Sequence, residues 1–309
     1  MPPPPVARPE AVRVSAPAKI NLFLHVGAKR ADGFHALESL VAFTEVADRL
    51  TFTPGKTLSL HAEGPFAGKL PPREDNLVVK AARALGGERG AEIVLEKNLP
   101  VASGLGGGSA DAAAALRGLN LLWDLGKSER ELMEIGAALG SDVPVCVLSK
   151  PALMEGRGEI VTPVAALPPL ALVLVNPSVM LPTVDVFSRV ERRTGIGQMD
   201  RSPARLETLW DVTAYLAGAR NDLEPPACAL APIIDDVLDA LAEQPGCAFV
   251  QMSGSGPSCY GLFEGRHVAL EVAEFIAHEH RNWWVRATRI ADADIGAPHW
   301  HHESVRRGN

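Results

Sequence analysis

Pro100-Val101-Ala102-Ser103-Gly104-Leu105-Gly106-Gly107-Gly108-Ser109-Ala110-Asp111-Ala112-Ala113-Ala114-Ala115-Leu116 begins as a glycine turn and ends as a helix. Four of its residues are glycine, three of them consecutive. Alanine then takes over, and Leu116 and Leu119 follow at helical spacing. Glycine permits positive φ and a close approach of backbone to a ligand. The amides of such a loop and the unpaired N–H groups of the helix behind it converge on one point. That point attracts anions, phosphate above all. A tight turn without a ligand has the same composition, so the cluster alone leaves both readings open. Two standard phosphate motifs are excluded. No Gly-Lys-Ser/Thr ends the loop, so it is not a P-loop of the usual kind. Ala91 to Asn98 reads as the preceding strand. No acidic residue ends a following strand about 20 residues on, as nicotinamide binding requires. A phosphate cradle of a third type is left.

The 309 residues are enough for two domains, and 47% of them are hydrophobic, enough for a sizeable core. A formal net charge of −7 argues against nucleic acid or an anionic membrane as partner, so a polyanionic ligand needs locally focused cations. Cys146, Cys228, Cys247 and Cys259 lie apart, without CxxC spacing. That suits reduced thiols in a cytoplasm, not a disulfide framework or a zinc site. No apolar run reaches the length of a membrane span. Met1-Pro2-Pro3-Pro4-Pro5 lacks the apolar stretch of a signal peptide and reads as a disordered polyproline tail.

Outward from the loop, Asp75 and Asn76 open a helix over Leu77 to Leu85, where capping is their plain role. Towards the N-terminus, Lys19, Asn21 and His25 alternate with Ile20, Leu22 and Leu24, which predicts a strand with one polar face. That face points either into a cleft or into solvent. Lys29 to His35 is a turn that presents Phe34 beside His35. Leu37 to Val46 and Arg49 to Pro54 read as two strands. Beyond the loop, Ser128 and Glu131 have capping-box spacing, with a helix to Leu139 and Gly140 as its stop. Asp142 sits in a short turn before an apolar run, as a helix cap or as a functional acid. Ala152 to Pro163 looks like a hairpin, and Leu167-Pro168-Pro169 like a linker into a buried strand, Leu170 to Val175. Ile196 to Arg205 reads as polar loop, and Asn221 to Pro226 as a turn into a helix from Ile233 to Glu243. Ser253-Gly254-Ser255-Gly256-Pro257-Ser258 is a second Gly/Ser loop. A strand at Tyr260 to Phe263, a helix from Val268 to His280 and a strand from Trp283 to Thr288 close the chain. His299-Trp300-His301-His302 lacks an acid or cysteine at ligand spacing, so it reads as a disordered end and not a metal site.

Three separated elements form a set: Pro17-Ala18-Lys19-Ile20-Asn21-Leu22, the run Pro100 to Ala115, and Ser253 to Ser258. In this order and spacing they resemble the three motifs of the GHMP small-molecule kinases, over nearly the whole chain. Ala31-Asp32-Gly33-Phe34-His35 resembles a cytidine-binding turn within that family, with Phe34 where tyrosine is common. Gly140-Ser141-Asp142-Val143-Pro144 resembles its catalytic aspartate segment.

The resemblance implies an α+β, two-domain GHMP kinase fold with the active site in the inter-domain cleft. It implies a disordered tail over 1–10, an ATP-binding and catalytic domain over 11–166, a C-terminal domain over 167–296 and a flexible tail over 297–309. The implied reaction passes the γ-phosphoryl group of ATP to the 2-hydroxyl of 4-diphosphocytidyl-2-C-methyl-D-erythritol, within non-mevalonate isoprenoid synthesis in the cytoplasm. Asp142 would take the hydroxyl proton, with Lys19 beside it facing the γ-phosphate and Asn21 orienting the acceptor. The amides of Pro100, Val101, Ala102, Ser103, Gly104, Leu105, Gly106, Gly107, Gly108, Ser109 and Ala110 would cradle the phosphates. Asn76 would lie near adenine or ribose. Phe34 and Phe187 would sandwich the cytosine, His35 would read its edge, and Thr183 would lie near the acceptor. Mg²⁺ would come with ATP, with no protein metal ligands assigned. Another GHMP kinase, such as homoserine kinase, and a non-catalytic nucleotide-binding relative stand as alternatives. Oligomeric state is not readable from the chain.

Overall fold

A computed structural model describes residues 11–31, 33–164, 167–190, 196, 206–291 and 294–301. The tail expected over 1–10, Asp32 and, apart from Ile196, the polar loop expected from Ile196 to Arg205 lie outside these residues. In chain order the elements are β1 (Ala11–Lys29), β2 (His35–Pro54), β3 (Leu58–Glu63), α1 (Leu77–Gly86), β4 (Ala91–Glu96), α2 (Gly107–Leu122), α3 (Glu129–Ala137), α4 (Val143–Leu148), β5 (Ala152–Gly156) and β6 (Ile160–Pro163). There follow β7 (Ala171–Asn176), α5 (Thr183–Ser188), α6 (Leu209–Leu216), α7 (Glu224–Leu230), α8 (Ile233–Ala242), β8 (Cys247–Met252), β9 (Cys259–Phe263), α9 (Arg266–Glu279), β10 (Trp284–Arg289) and β11 (His299–His301).

Among the described residues the strands form two sheets. One has seven strands on the path β11-β1-β2-β4-β3, with the β5–β6 hairpin paired to β2. The other has four, in the order β10-β7-β9-β8. Apolar side chains under the first sheet meet α1, α2 and α4 around Phe43, Phe52 and Ile93. The second sheet buries Val173, Val175 and Phe263 against α8 and α9. The alanine run makes α2 thin, so it lies close against β1 and α1 with residues 110–116 all buried. Asn76 caps α1, its Oδ1 accepting from the Val78 amide at 2.9 Å. Ser128 and Glu131 form the expected capping box on α3. Caps of this kind stabilise a helix by about 1 kcal/mol.

Several expectations need correction. Leu37 to Pro54 is one long strand, not two, because it turns from β5 to β4 as successive partners without breaking. The single polar face on β1 does not persist. A register shift between Asn21 and Phe23 adds a residue to the strand, and such a bulge reverses the alternation beyond it. Leu24 therefore joins Lys19 and Asn21 along the cleft, while His25 is buried beside the Phe23 ring and Glu38. Pro225 and Pro226 stand in the first turn of α7, where proline is tolerated, instead of in a turn leading only to α8. The end of the chain is not free throughout. His299–His301 pairs antiparallel with Ala11–Arg13, and Trp300 packs on the first core. Residues 302–309 lie outside the described part.

Candidate active site

A cavity of about 740 Å³ opens between the two halves. Lys19, Asn21, the glycine loop and Asp142 line it from the first; Thr183, Phe187, Gly254 and Ser255 line it from the second. Lys19 stands in β1 between the buried Ala18 and Ile20. Its Nζ donates to Asp142 Oδ2 at 2.8 Å. The lysine side chain is 4% exposed and the aspartate 34%, so the pair presents its carboxylate end to the cavity. Asp142 precedes α4 but makes no capping bond through its side chain. Of the two roles open to it from sequence, the side chain is turned to Lys19 and not to the helix.

The loop adopts a cradle because its neighbours leave no room for side chains. Gly106 has φ +64°, and a Cβ there would stand 3.2 Å from Lys19 Cβ. The Lys19 amide donates to the Leu105 carbonyl at 2.9 Å, so strand and loop are stitched together. Gly104 has φ +79°, and a Cβ there would meet the Ser253 carbonyl at 2.3 Å. Ser253 Oγ donates to the Gly104 carbonyl and accepts from the Asn21 amide, at 3.0 and 3.2 Å. The Ser258 amide donates to the Ser103 carbonyl at 3.1 Å. The three separated motifs thus touch one another.

Not every expected loop residue faces the cavity. Val101 to Gly104 and Gly106 to Ser109 line it; Pro100, Leu105 and Ala110 do not. Pro100 has no N–H. Leu105 is buried in apolar surroundings. The Ala110 amide is already donated to the Gly106 carbonyl at 2.8 Å as the first bond of α2. The donors left at the head of α2 are those of Gly107, Gly108 and Ser109, which have no partner within the helix.

At the aromatic end, Phe34 is 49% exposed and the Arg157 guanidinium lies 5.3 Å from its ring centre. The ring stacked with Phe187 is that of His35, 6.0 Å away and tilted by 29°. His35 Nδ1 lies 3.2 Å from the Gly27 carbonyl. A carbonyl only accepts, so Nδ1 carries the hydrogen and Nε2 of the neutral ring is an acceptor. Thr183 Oγ1 and Ser255 Oγ share a hydrogen bond of 2.9 Å at the rim. Asn76 lines the cavity beside Leu70, Pro71 and Leu77, an apolar wall suited to a purine.

Sequence reasoning missed three features here. Arg157 lies in a hairpin turn that carried no motif. Ser39 contacts Asn21 across β1 and β2. Behind the cradle, Lys97 is buried between Asp48 and Asp111, with Nζ 2.5 and 2.6 Å from their Oδ2 atoms. Asp48 Oδ1 also accepts from the amides of Asn98 and Leu99. Burial, opposed by the charge of Lys97 and reinforced by that of Asp48, pushes the Asp111 carboxyl above the usual carboxylate range. The charges at the end of the preceding strand and one turn into α2 were the available signal.

Comparison with known proteins shows the family of the chain. The GHMP kinases N terminal domain profile matches residues 76–150, and the GHMP kinases C terminal profile matches residues 213–282. The chain belongs to the GHMP kinases. Among its relatives, the 4-diphosphocytidyl-2-C-methyl-D-erythritol kinase of Cereibacter sphaeroides is 51% identical over 89% of this chain and 98% of its own length. The enzyme of the same name from Parvibaculum lavamentivorans is 47% identical over 90% and 97%. A crystal structure of 4-(cytidine 5'-diphospho)-2C-methyl-D-erythritol kinase superposes with a TM-score of 0.72 at 33% identity, over 91% of this chain and all of that one. Homoserine kinase from Cytophaga hutchinsonii shares the fold, with a TM-score of 0.67 at 21% identity.

Proposed function

We propose that this protein transfers the γ-phosphoryl group of ATP to the 2-hydroxyl of 4-diphosphocytidyl-2-C-methyl-D-erythritol, giving ADP and the 2-phosphate, in non-mevalonate isoprenoid synthesis. The observation that carries the reading is the Lys19–Asp142 pair at 2.8 Å, set against a glycine cradle at a helix N-terminus. The acceptor oxygen attacks the γ-phosphorus and its proton passes to the Asp142 carboxylate. The bond from γ-phosphorus to the bridging oxygen breaks, and its electrons leave with ADP. Lys19 offsets charge on the transferred group, and the amides of Gly107 to Ser109 hold the phosphates. Positioning and electrostatics of this kind supply most of the catalysis in phosphoryl transfer.

Magnesium carried on the triphosphate would neutralise charge on its β and γ oxygens. Among the described residues no cluster of three His, Cys, Asp or Glu side chains could hold a metal. The ion would come with the nucleotide, and the cradle that a Cβ at Gly106 would fill suits the phosphates carrying it. Adenine lies against Leu70, Pro71 and Leu77, near Asn76. Cytosine lies by Phe34 and Phe187. His35 Nε2, as an acceptor, takes a hydrogen bond from the exocyclic amine of cytosine and repels the carbonyl that uracil has there. We place the boundary between the domains at residue 167, with residues 299–301 returning to the first sheet, and the enzyme in the cytoplasm, where its four unpaired cysteines stay reduced. No helix among the described residues is long and apolar enough to cross a membrane. The test is ADP release from ATP–Mg with the cytidylyl acceptor, run beside homoserine. Turnover of homoserine and not of the cytidylyl acceptor would move the reading to another GHMP kinase.

A further inference from the structure

Asn21 has only one end of its amide engaged. The residue is 2% exposed and lines the cavity two positions from Lys19. Its Nδ2 donates to Ser39 Oγ at 2.8 Å. Its Oδ1 has no hydrogen-bond partner among the described residues. Gly254 walls one side of that oxygen, where a Cβ would stand 3.3 Å away. Ser39, on β2, is equally buried. Its Oγ donates to the Phe23 carbonyl at 2.5 Å, just past the bulge in β1.

A serine hydroxyl has one hydrogen. Because Phe23 takes it, Ser39 can only accept from Asn21. An amide flipped the other way would set two acceptors against each other. One orientation is therefore permitted, with nitrogen towards Ser39 and oxygen towards the cleft. We propose that Ser39 is a positioning residue for phosphoryl transfer, locking Asn21 so that its Oδ1 accepts from a hydroxyl of the acceptor. This rests on the kinase reading above. The hydroxyl it takes is not the one phosphorylated, because that proton goes to Asp142. The acceptor must then be a polyol with a second hydroxyl next to the reacting one. A buried oxygen left unpaired is what rejects an analogue lacking that group.

The test compares wild type, Ser39→Ala and Ser39→Thr on the full cytidylyl acceptor and on analogues lacking the 1- or the 3-hydroxyl, with melting temperatures measured alongside. Wild type should lose about tenfold or more in kcat/KM on one of the two deoxy analogues. Ser39→Ala should lose a similar factor on the full acceptor and nothing further on that analogue, with the KM for ATP unchanged. Ser39→Thr, which keeps the hydroxyl, should restore the rate. Equal impairment of the alanine and threonine variants, a parallel rise in the KM for ATP, or full activity in Ser39→Ala would each overturn the role of Ser39. An inactive wild type would instead bring down the kinase reading itself.

Discussion

Lys19 and Asp142 are 123 positions apart in the chain and 2.8 Å apart in space. Asp142→Asn keeps the shape and removes the proposed base, so kcat should fall by about 10²- to 10⁴-fold. Binding of ATP, measured by calorimetry, should change little, since the cradle is untouched. A near-normal kcat would take the proton away from Asp142. At the other end of the cleft, His35→Ala should raise the KM for the cytidylyl acceptor and leave that for ATP alone. It should also let the uridylyl analogue compete, as no acceptor remains to refuse a carbonyl. Continued rejection of uracil by His35→Ala would show that other groups choose the base. Both residue types were readable from the motifs. Their partners were not: nothing in the chain near His35 indicates that the Gly27 carbonyl sets its tautomer.

The glycine loop is an element in which each position answers to a different neighbour. Gly104→Ala would drive a methyl group into the Ser253 carbonyl, which is backbone and cannot yield. Unfolding in urea should show a loss of about 1–3 kcal/mol. Gly106→Ala meets Lys19 Cβ at 3.2 Å, a milder approach than at Gly104, but in a left-handed conformation. It should leave stability closer to normal and raise the KM for ATP by about tenfold, as the donors rotate out of line. Equal effects of the two substitutions on KM would mean that the loop moves as one piece. The bulge in β1 sets a second element-scale prediction. Burial lowers the pKa of His25 from its usual 6.5, despite Asp222 and Glu38 nearby. The unfolded chain then binds a proton below pH 6.5 that the folded chain refuses. Stability should fall on acidification through that range, and His25→Gln should flatten the fall. An unchanged slope in denaturant melts at pH 7 and pH 5.5 would assign the effect to other groups.

The whole molecule is held together by exchanges between its halves. The turn at Arg220 to Asp222 lies along β1, with bonds of 3.0 and 2.8 Å between Leu24 and its two neighbours there. The last described strand, β11, returns to the edge of the first sheet. Truncation after residue 296 should uncover that edge and lower stability by about 1–2 kcal/mol through lost contact of Trp300. Thermal unfolding checks this; an unchanged midpoint would leave β11 without a structural role.

Local spacing was sufficient for most helices and strands and for the glycine loop that opens α2. Capping boxes, alternation and glycine act within a few residues, and those signals are written side by side in the chain. The sequence by itself also carried the ordered trio of motifs on which the resemblance rests. Only the tertiary structure decided which of those residues meet. It paired Lys19 with Asp142, turned His25 out of the cleft at a bulge, withdrew Leu105 and Ala110 from the cradle, and set Ser39 behind Asn21. Each of these depends on where distant segments return, and a contact between segments far apart in the chain leaves no local pattern.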